Sequence, residues 1–291
     1  MEKRTILIKG AGDLASGIAC RLYRSGFSVA MTDLPAPTSI RRTVCFSEAI
    51  PNGTAEVEGI TARFAADADA AAAILRAGEI PVLADPQAAC AAALQPDAIV
   101  DAILAKENLG TAMGDAPVVV GVGPGFTAGT DCHAVVETMR GHTLGRVYYS
   151  GSALANTGVP GDIGGFTIER LLRAPCAGEF RTVHRIGDVV EAGEVCAYVG
   201  HFQVRSAIRG VLRGILPDGT QVYKGMKSGD VDPRCRVEHC FTVSDKALAI
   251  GGGVLEALLH LFHASRRAPG SCRRPPHASD RRELSWKRRS N

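Results

Sequence analysis

The chain has 291 residues, 46% of them hydrophobic and 22% charged, a composition expected of a globular protein long enough for two domains. Nine of the 33 Lys/Arg and two of the 30 Asp/Glu follow His263, so residues 1–263 carry a net charge of −4, which argues against a general nucleic-acid surface. Nine cysteines with no C-x-x-C pair and no preceding signal peptide point to reduced thiols in the cytoplasm, and no apolar run reaches the roughly 18 residues that span a membrane.

The apolar run 5–9 predicts a buried strand. It leads into Gly10-Ala-Gly12-Asp13-Leu14-Ala15, followed by helical spacing over 16–22 and a second strand over 27–31 that ends near Asp33. This is the G-x-G-x-x-(G/A) fingerprint in a strand–turn–helix setting, with an acid 23 residues after the first glycine where a ribose hydroxyl would bind. Asp13 is out of keeping with a phosphate at the helix tip, because a carboxylate there opposes an anionic ligand. Arg41 and Arg42 follow close behind and are candidates to neutralise a phosphate.

Next come a strand over 60–64, an alanine-rich helix over 67–77, a strand over 80–85, a helix over 87–94 and a strand over 98–103. Such alternation predicts a Rossmann-like, mainly parallel sheet with ligands at the strands' carboxyl ends. That places Asp101, Lys106 and Asn108 beside the glycine turn.

Thirteen of the 33 glycines lie between Gly110 and Gly165, interspersed with polar groups that follow no helical or strand period. Such loops suit a site. A strand over 118–122 runs into Gly123-Pro124-Gly125-Phe126, whose backbone N–H groups suit an anion nest. Asp131, His133 and Glu137 share one face of a strand, or His133 and Glu137 one face of a helix, which permits acid–base work. One histidine with two carboxylates assigns no metal site, and Cys132 reads as a buried structural thiol. Arg140, His142 and Arg146 return positive charge to this region, and Asn156-Thr-Gly-Val-Pro-Gly161 is a tight polar turn fit to clamp a ligand.

After Leu172 the chain repeats itself. Gly178, Gly187 and Gly193 recur 32 positions later as Gly210, Gly219 and Gly225, and Val190 recurs as Val222. Two matched halves of short strands would bury their apolar faces against each other. The spacing resembles the barrel-sandwich hybrid of lipoyl and biotinyl carrier domains, yet residues 194–206 contain no lysine for covalent attachment. Cys235 to Cys240 lacks standard zinc-site spacing. A helix over 244–262 is interrupted by Gly251-Gly-Gly253, which suggests close approach to another element, and the Arg- and Pro-rich remainder reads as disordered. The expected organisation is a Rossmann-like domain with the central loops (1–172), a barrel-sandwich repeat (173–235), a helical segment (236–263) and a basic tail (264–291).

Read together, Ile8-Lys-Gly-Ala-Gly-Asp-Leu-Ala-Ser-Gly17, Val100-Asp-Ala-Ile103, Gly123-Pro-Gly-Phe126, Asp131-Cys-His133, Glu137-Thr138, Arg140-Gly-His142, Asn156-Thr-Gly-Val-Pro-Gly161 and Gly225-Met-Lys-Ser-Gly-Asp-Val-Asp-Pro-Arg234 carry a resemblance. Residues 4–260 resemble the YqeB-type accessory proteins of the selenium-dependent molybdenum hydroxylase system. The resemblance implies a cytoplasmic maturation factor whose partners are the hydroxylase or its cofactor machinery, and leaves open whether it is an enzyme or forms a homo-oligomer.

The candidate ligand is a small phosphate-bearing molecule: NAD(P) or another nucleotide, or the molybdenum cofactor. Gly10, Gly12, Asp13, Asp33 and Arg41 are candidates to bind it at the first turn, and Gly123, Gly125, Arg140 and Asn156 at the second. Asp101, Lys106, His133 and Glu137 are the candidates for proton transfer. The alternatives are a non-catalytic chaperone docking through the repeat and an NAD(P)-dependent oxidoreductase.

Overall fold

The computed structural model describes residues 3–267. The strands of the first half are β1 (Thr5–Lys9), β2 (Ser28–Thr32), β3 (Thr54–Val57), β4 (Ile60–Ala65), β5 (Ile80–Leu83), β6 (Ala98–Asp101) and β7 (Val119–Val122). Between them lie helices α1 (Asp13–Arg24), α2 (Ala49–Asn52), α3 (Ala68–Arg76) and α4 (Ala91–Leu94). Strands β8 (Thr127–Ala128), β9 (Ala134–Val136), β10 (Val147–Tyr148) and β11 (Gly151–Ser152) follow. One nine-stranded sheet runs β10-β9-β7-β6-β1-β2-β5-β4-β3, and β8 pairs with β11 beside it.

Burial follows the period of two. Ile6 and Ile8 of β1 face one core with Ile18 and Leu22 of α1, whereas Leu7 faces the other with Ala71 of α3 and Ile99 of β6. Asp67 caps α3 by accepting the Ala70 N–H at 2.8 Å.

The expected Rossmann-like plus barrel-sandwich architecture does not hold. The large sheet is mixed, with an antiparallel strand at each edge, β10 on β9 and β3 on β4. The cause at one edge is local: Glu58 and Gly59 form the whole connection, with φ of 49° and 77° respectively, and a two-residue turn of that kind can only join antiparallel strands. The parallel steps β6 to β7 and β7 to β9 also lack crossover helices, and irregular, glycine-rich chain makes them instead.

The repeat region begins with β12 (Leu171–Arg173) and continues through β13 (Gly178–Thr182), β14 (Val189–Val190), β15 (Val195–Val199), β16 (Phe202–Arg205), β17 (Gly210–Ile215), β18 (Gln221–Val222) and β19 (Lys227–Asp232). Its halves exchange strands: β14 pairs with β17 and β13 with β18. The result is two antiparallel sheets, β12-β19-β17-β14 and β16-β15-β13-β18, around Phe180, Leu212 and Ile215. β12, from before the repeat, takes an edge, so this is a half-barrel rather than the carrier-domain arrangement. Ile40 reaches from the first half into this core, and its carbonyl accepts the Ile215 N–H at 2.9 Å.

Helix α5 (Asp245–Arg267) is continuous through the glycine triplet. A Cβ on Gly17 of α1 would stand 2.6 Å from that of Ala247, and one on Gly251 would stand 3.3 Å from the Gly17 carbonyl oxygen. Gly253 meets the Gly145 carbonyl. The triplet therefore permits close packing on α1 and the 145 turn. The Asp245–Ala264 stretch is long and apolar enough to cross a membrane, unlike the shorter run read from sequence, but Ile250, Val254, Ala257 and Leu258 are buried against the sheet. The basic tail beyond Arg267 and its expected disorder lie outside the described residues.

Candidate functional site

Two adjoining cavities open at the tip of α1. The smaller, about 370 Å³, lies over the glycine turn between Gly10, Gly12, Asp33 and the apolar side chains Leu14, Leu34, Ile103, Leu104 and Leu109. The larger, about 930 Å³, lies between the sheet's carboxyl ends, the 154–161 loop and the half-barrel. Asp13, Leu14 and Leu104 line both.

Gly10 has φ of 95°, and a Cβ there would lie 2.9 Å from the Ala102 carbonyl oxygen, so glycine is required by the neighbouring chain. Asp33 braces the turn. Its Oδ2 accepts the Ala11 N–H at 2.7 Å and its Oδ1 the Leu34 N–H, while burial pushes its carboxyl above the usual range. Asp13 sits 3.3 Å from the Arg41 guanidinium, whose other nitrogen donates to the His239 and Thr242 carbonyls. Arg41 is thus a buried tie between the glycine turn and the chain before α5, with its Nε unpartnered.

The proposed acid–base set is not brought together. Asp101 is buried, accepts from Thr111 Oγ1 at 2.6 Å and lies 3.6 Å from Lys9 Nζ, which in turn donates to Thr111. Asn108 folds the adjoining loop by accepting the Gly110 and Thr111 N–H groups. His133 precedes β9, where its Nδ1 accepts the Val119 N–H at 3.0 Å; Glu137 follows that strand, about 13 Å away at 3.3 Å per residue. Glu137 is fully buried and accepts three backbone N–H groups, from Thr138, Met139 and Leu154. It organises cleft loops and has no open path to a substrate. Of the four, Lys106 alone lines the large cleft.

The second glycine loop is also filled from within. A Cβ on Gly123 would meet the Thr138 side chain at 2.9 Å, and one on Gly125 the Glu107 backbone at 2.7 Å. Those glycines serve packing, so the expected anion nest is displaced. Arg140 lines the cleft but is held in a two-pronged pair with Asp245, at 2.6 and 3.0 Å. That guanidinium lowers the Asp245 carboxyl to about 2. Asn156 stands exposed on the cleft rim. Cys132 is buried, and burial raises its thiol to about 11. Among the described residues no three His, Cys, Asp or Glu side chains gather for a metal.

The cleft's opposite wall is invisible to sequence reasoning. It comprises Arg170, Arg173, Arg213 and Lys227, and Lys246 of α5, Lys106, Arg140 and Arg41 line the same space. Eight basic side chains line the space against Asp13 and Asp230, which makes it strongly cationic. Arg170 pairs with Asp230 at 2.9 Å, and Arg213 lies 3.7 Å from Asp232, yet the Nε of each is buried without a partner. Burial lowers the proton affinity of both Arg213 and Lys246. Within the glycine-bounded run from Gly225 to Arg234 Lys227 is the only basic side chain that lines this wall, and sequence alone does not bring that run, Arg170 and Arg213 together.

Fold and cleft together define a mixed α/β protein with a basic cleft between a large sheet and a half-barrel. Over 263 residues the chain is 51% identical to the uncharacterized protein YqeB of Escherichia coli (strain K12), which makes it a relative of YqeB across 90% of its length. The alignment covers 49% of that protein, so the chain spans about half the length of the curated relative it matches. No family model matches.

Three solved structures show weak likeness: an aspartoacylase family protein from Mesorhizobium loti (12% identity, TM-score 0.22), the ectoine utilization protein EutE (DoeB) from Ruegeria pomeroyi (12%, 0.25) and a succinylglutamate desuccinylase/aspartoacylase from Rhodobacter sphaeroides (14%, 0.24). Each comparison covers 79% of this chain and 85% of the other, and at such scores none bears on chemistry.

Proposed function

We propose that this chain is a cytoplasmic maturation factor for selenium-dependent molybdenum hydroxylases that holds a phosphate-bearing ligand, a nucleotide or a molybdopterin-type cofactor, in the large cleft. The hydroxylase or its cofactor machinery is its partner in this reading. One observation carries it: eight Lys/Arg against two Asp line a cleft of about 930 Å³, within the size range of small-molecule sites. Arg170, Arg173 and Arg213 line that cleft, and guanidinium forks match phosphate oxygens. A bound cofactor would bring its own chemistry; the chain's residues would bind and orient it.

The oxidoreductase alternative is weakened because both oxygens of Asp33 already accept backbone N–H groups and Asp13 occupies the helix tip. A docking scaffold draws support from the exposed Val183, Phe202 and Tyr223 on the half-barrel. Equilibrium binding of ATP, NAD(P) and molybdenum cofactor to the purified protein tests the proposal. Micromolar or tighter binding of one of them supports it; binding of none overturns it and leaves the scaffold reading.

A further inference from the structure

Resting on the reading that the cleft takes a phosphate-bearing ligand, we propose where each part of that ligand lies. Its anionic end seats against Arg170, Arg213 and Lys246, and its uncharged part enters the 370 Å³ cavity over the glycine turn. This reverses the usual assignment of phosphate to such a turn.

Three observations exclude charge from the turn. Asp13 places a carboxylate at the tip of α1, the Ala11 N–H is already given to Asp33, and leucines and Ile103 form much of the cavity wall. An anion there would lose its water and gain few donors. The loop at Gly123 and Gly125 is occupied by Thr138 and Glu107.

The opposite wall has the reverse bias: Arg170 pairs with Asp230 and Arg213 lies near Asp232, and Arg173 and Lys227 add positive charge beyond those carboxylates. Arg170 and Arg213 are 6% and 7% exposed, and each holds an Nε without a partner. Asp232, the carboxylate nearest Arg213, is bound more closely by Arg234 at 2.6 Å. Burial lowers the proton affinity of half-buried Lys246, which is attracted by Asp13 but repelled by Arg140 and Lys227. The cleft lining holds eight Lys/Arg against two Asp, and an oxyanion from solution would offset that surplus.

The two spaces share Asp13, Leu14 and Leu104, so one molecule can occupy both. The ligand class is therefore a phosphate or diphosphate ester of an uncharged, largely apolar group. A bare oxyanion would leave the apolar half unused.

Calorimetric titration with sodium pyrophosphate, ATP and NADP⁺ at low ionic strength tests this, with melting temperatures of the anion-free proteins recorded alongside. Lys246→Met and Arg213→Met are each expected to weaken pyrophosphate binding about tenfold or more, the scale of one charge-assisted contact. Lys246→Met is further expected to leave the anion-free melting temperature unchanged or raised, because it removes a partly desolvated charge that Arg140 and Lys227 repel. Leu109→Trp, which fills the small cavity from an exposed position, is expected to weaken ATP or NADP⁺ binding while sparing pyrophosphate.

Wild-type affinity for pyrophosphate in the Lys246→Met protein overturns the seat, as does a lowered melting temperature with no loss of binding. ATP and NADP⁺ that bind no tighter than pyrophosphate overturn the bridging arrangement. If neither pyrophosphate, either nucleotide nor molybdenum cofactor binds wild-type protein, the underlying functional reading falls with it.

Discussion

The carboxylate of Glu137 accepts the Leu154 N–H at 2.9 Å from seventeen residues away, and so fastens the 154–161 loop to the end of β9. Its other oxygen takes Thr138 and Met139 at 2.7 Å each. Glu137→Gln keeps only part of this acceptor capacity and should cost about 1–3 kcal/mol in urea unfolding, with Glu137→Ala costing more. Hydrogen exchange at the Thr138, Met139 and Leu154 amides should accelerate in both variants. Unchanged exchange would show that the carboxylate does not hold the loop.

Lys9, Asp101 and Thr111 form a buried trio at the centre of the sheet. Lys9→Met leaves the Asp101 charge without its partner and should destabilise by about 3–5 kcal/mol. Thr111→Val, which removes a bridging hydroxyl, should cost about 1–2 kcal/mol. Denaturant midpoints measure both, and near-neutral results would return Asp101 to consideration as a reactive group.

The glycine triplet of α5 offers an internal control. Nothing lies within 4 Å of a Cβ placed on Gly252, so Gly252→Ala should stabilise by about 0.5–1 kcal/mol through helix propensity. Gly253 abuts the Gly145 carbonyl and Val136, so Gly253→Ala should instead cost about 1–3 kcal/mol. Thermal melts of the two single variants should move in opposite directions.

The Arg140–Asp245 pair sets part of the acid response. Asp245 titrates near 2 when folded and near 3.9 when unfolded, so its stabilisation is complete above about pH 4 and disappears as pH falls towards 2. Asp245→Asn should flatten the fall in melting temperature across that window. At pH 7 its cost should stay within about 1 kcal/mol, because the carboxylate is 67% exposed.

Much of the element list was legible because apolar runs such as 5–9 and 118–122 bury on both faces and read the same wherever they pair. The close approach of the glycine triplet was legible too. The sheet's antiparallel edges were not, although Glu58-Gly59 between two alternating runs is a hairpin signal. The predicted helix over 87–94 contracts to the single turn Ala91–Leu94.

The site was less legible than the strands. Glu137 and Asp101 look like reagents in sequence, and only tertiary contacts reveal their backbone and ion-pair partners. Lys246 shows nothing unusual until α5 is laid beside α1, and its place in the cleft depends on that long-range packing.

The α1–α5 crossing joins Gly17 to Gly251, residues separated by most of the chain. During synthesis, the α5-facing side of α1 must wait for its cover until the other described elements have left the ribosome. Binding competence should consequently arrive late and together with the closed core. A nascent chain halted before Val243 would leave the α1 surface at Gly17 uncovered while lacking Lys246, and would be a client for chaperones before it could engage any anion.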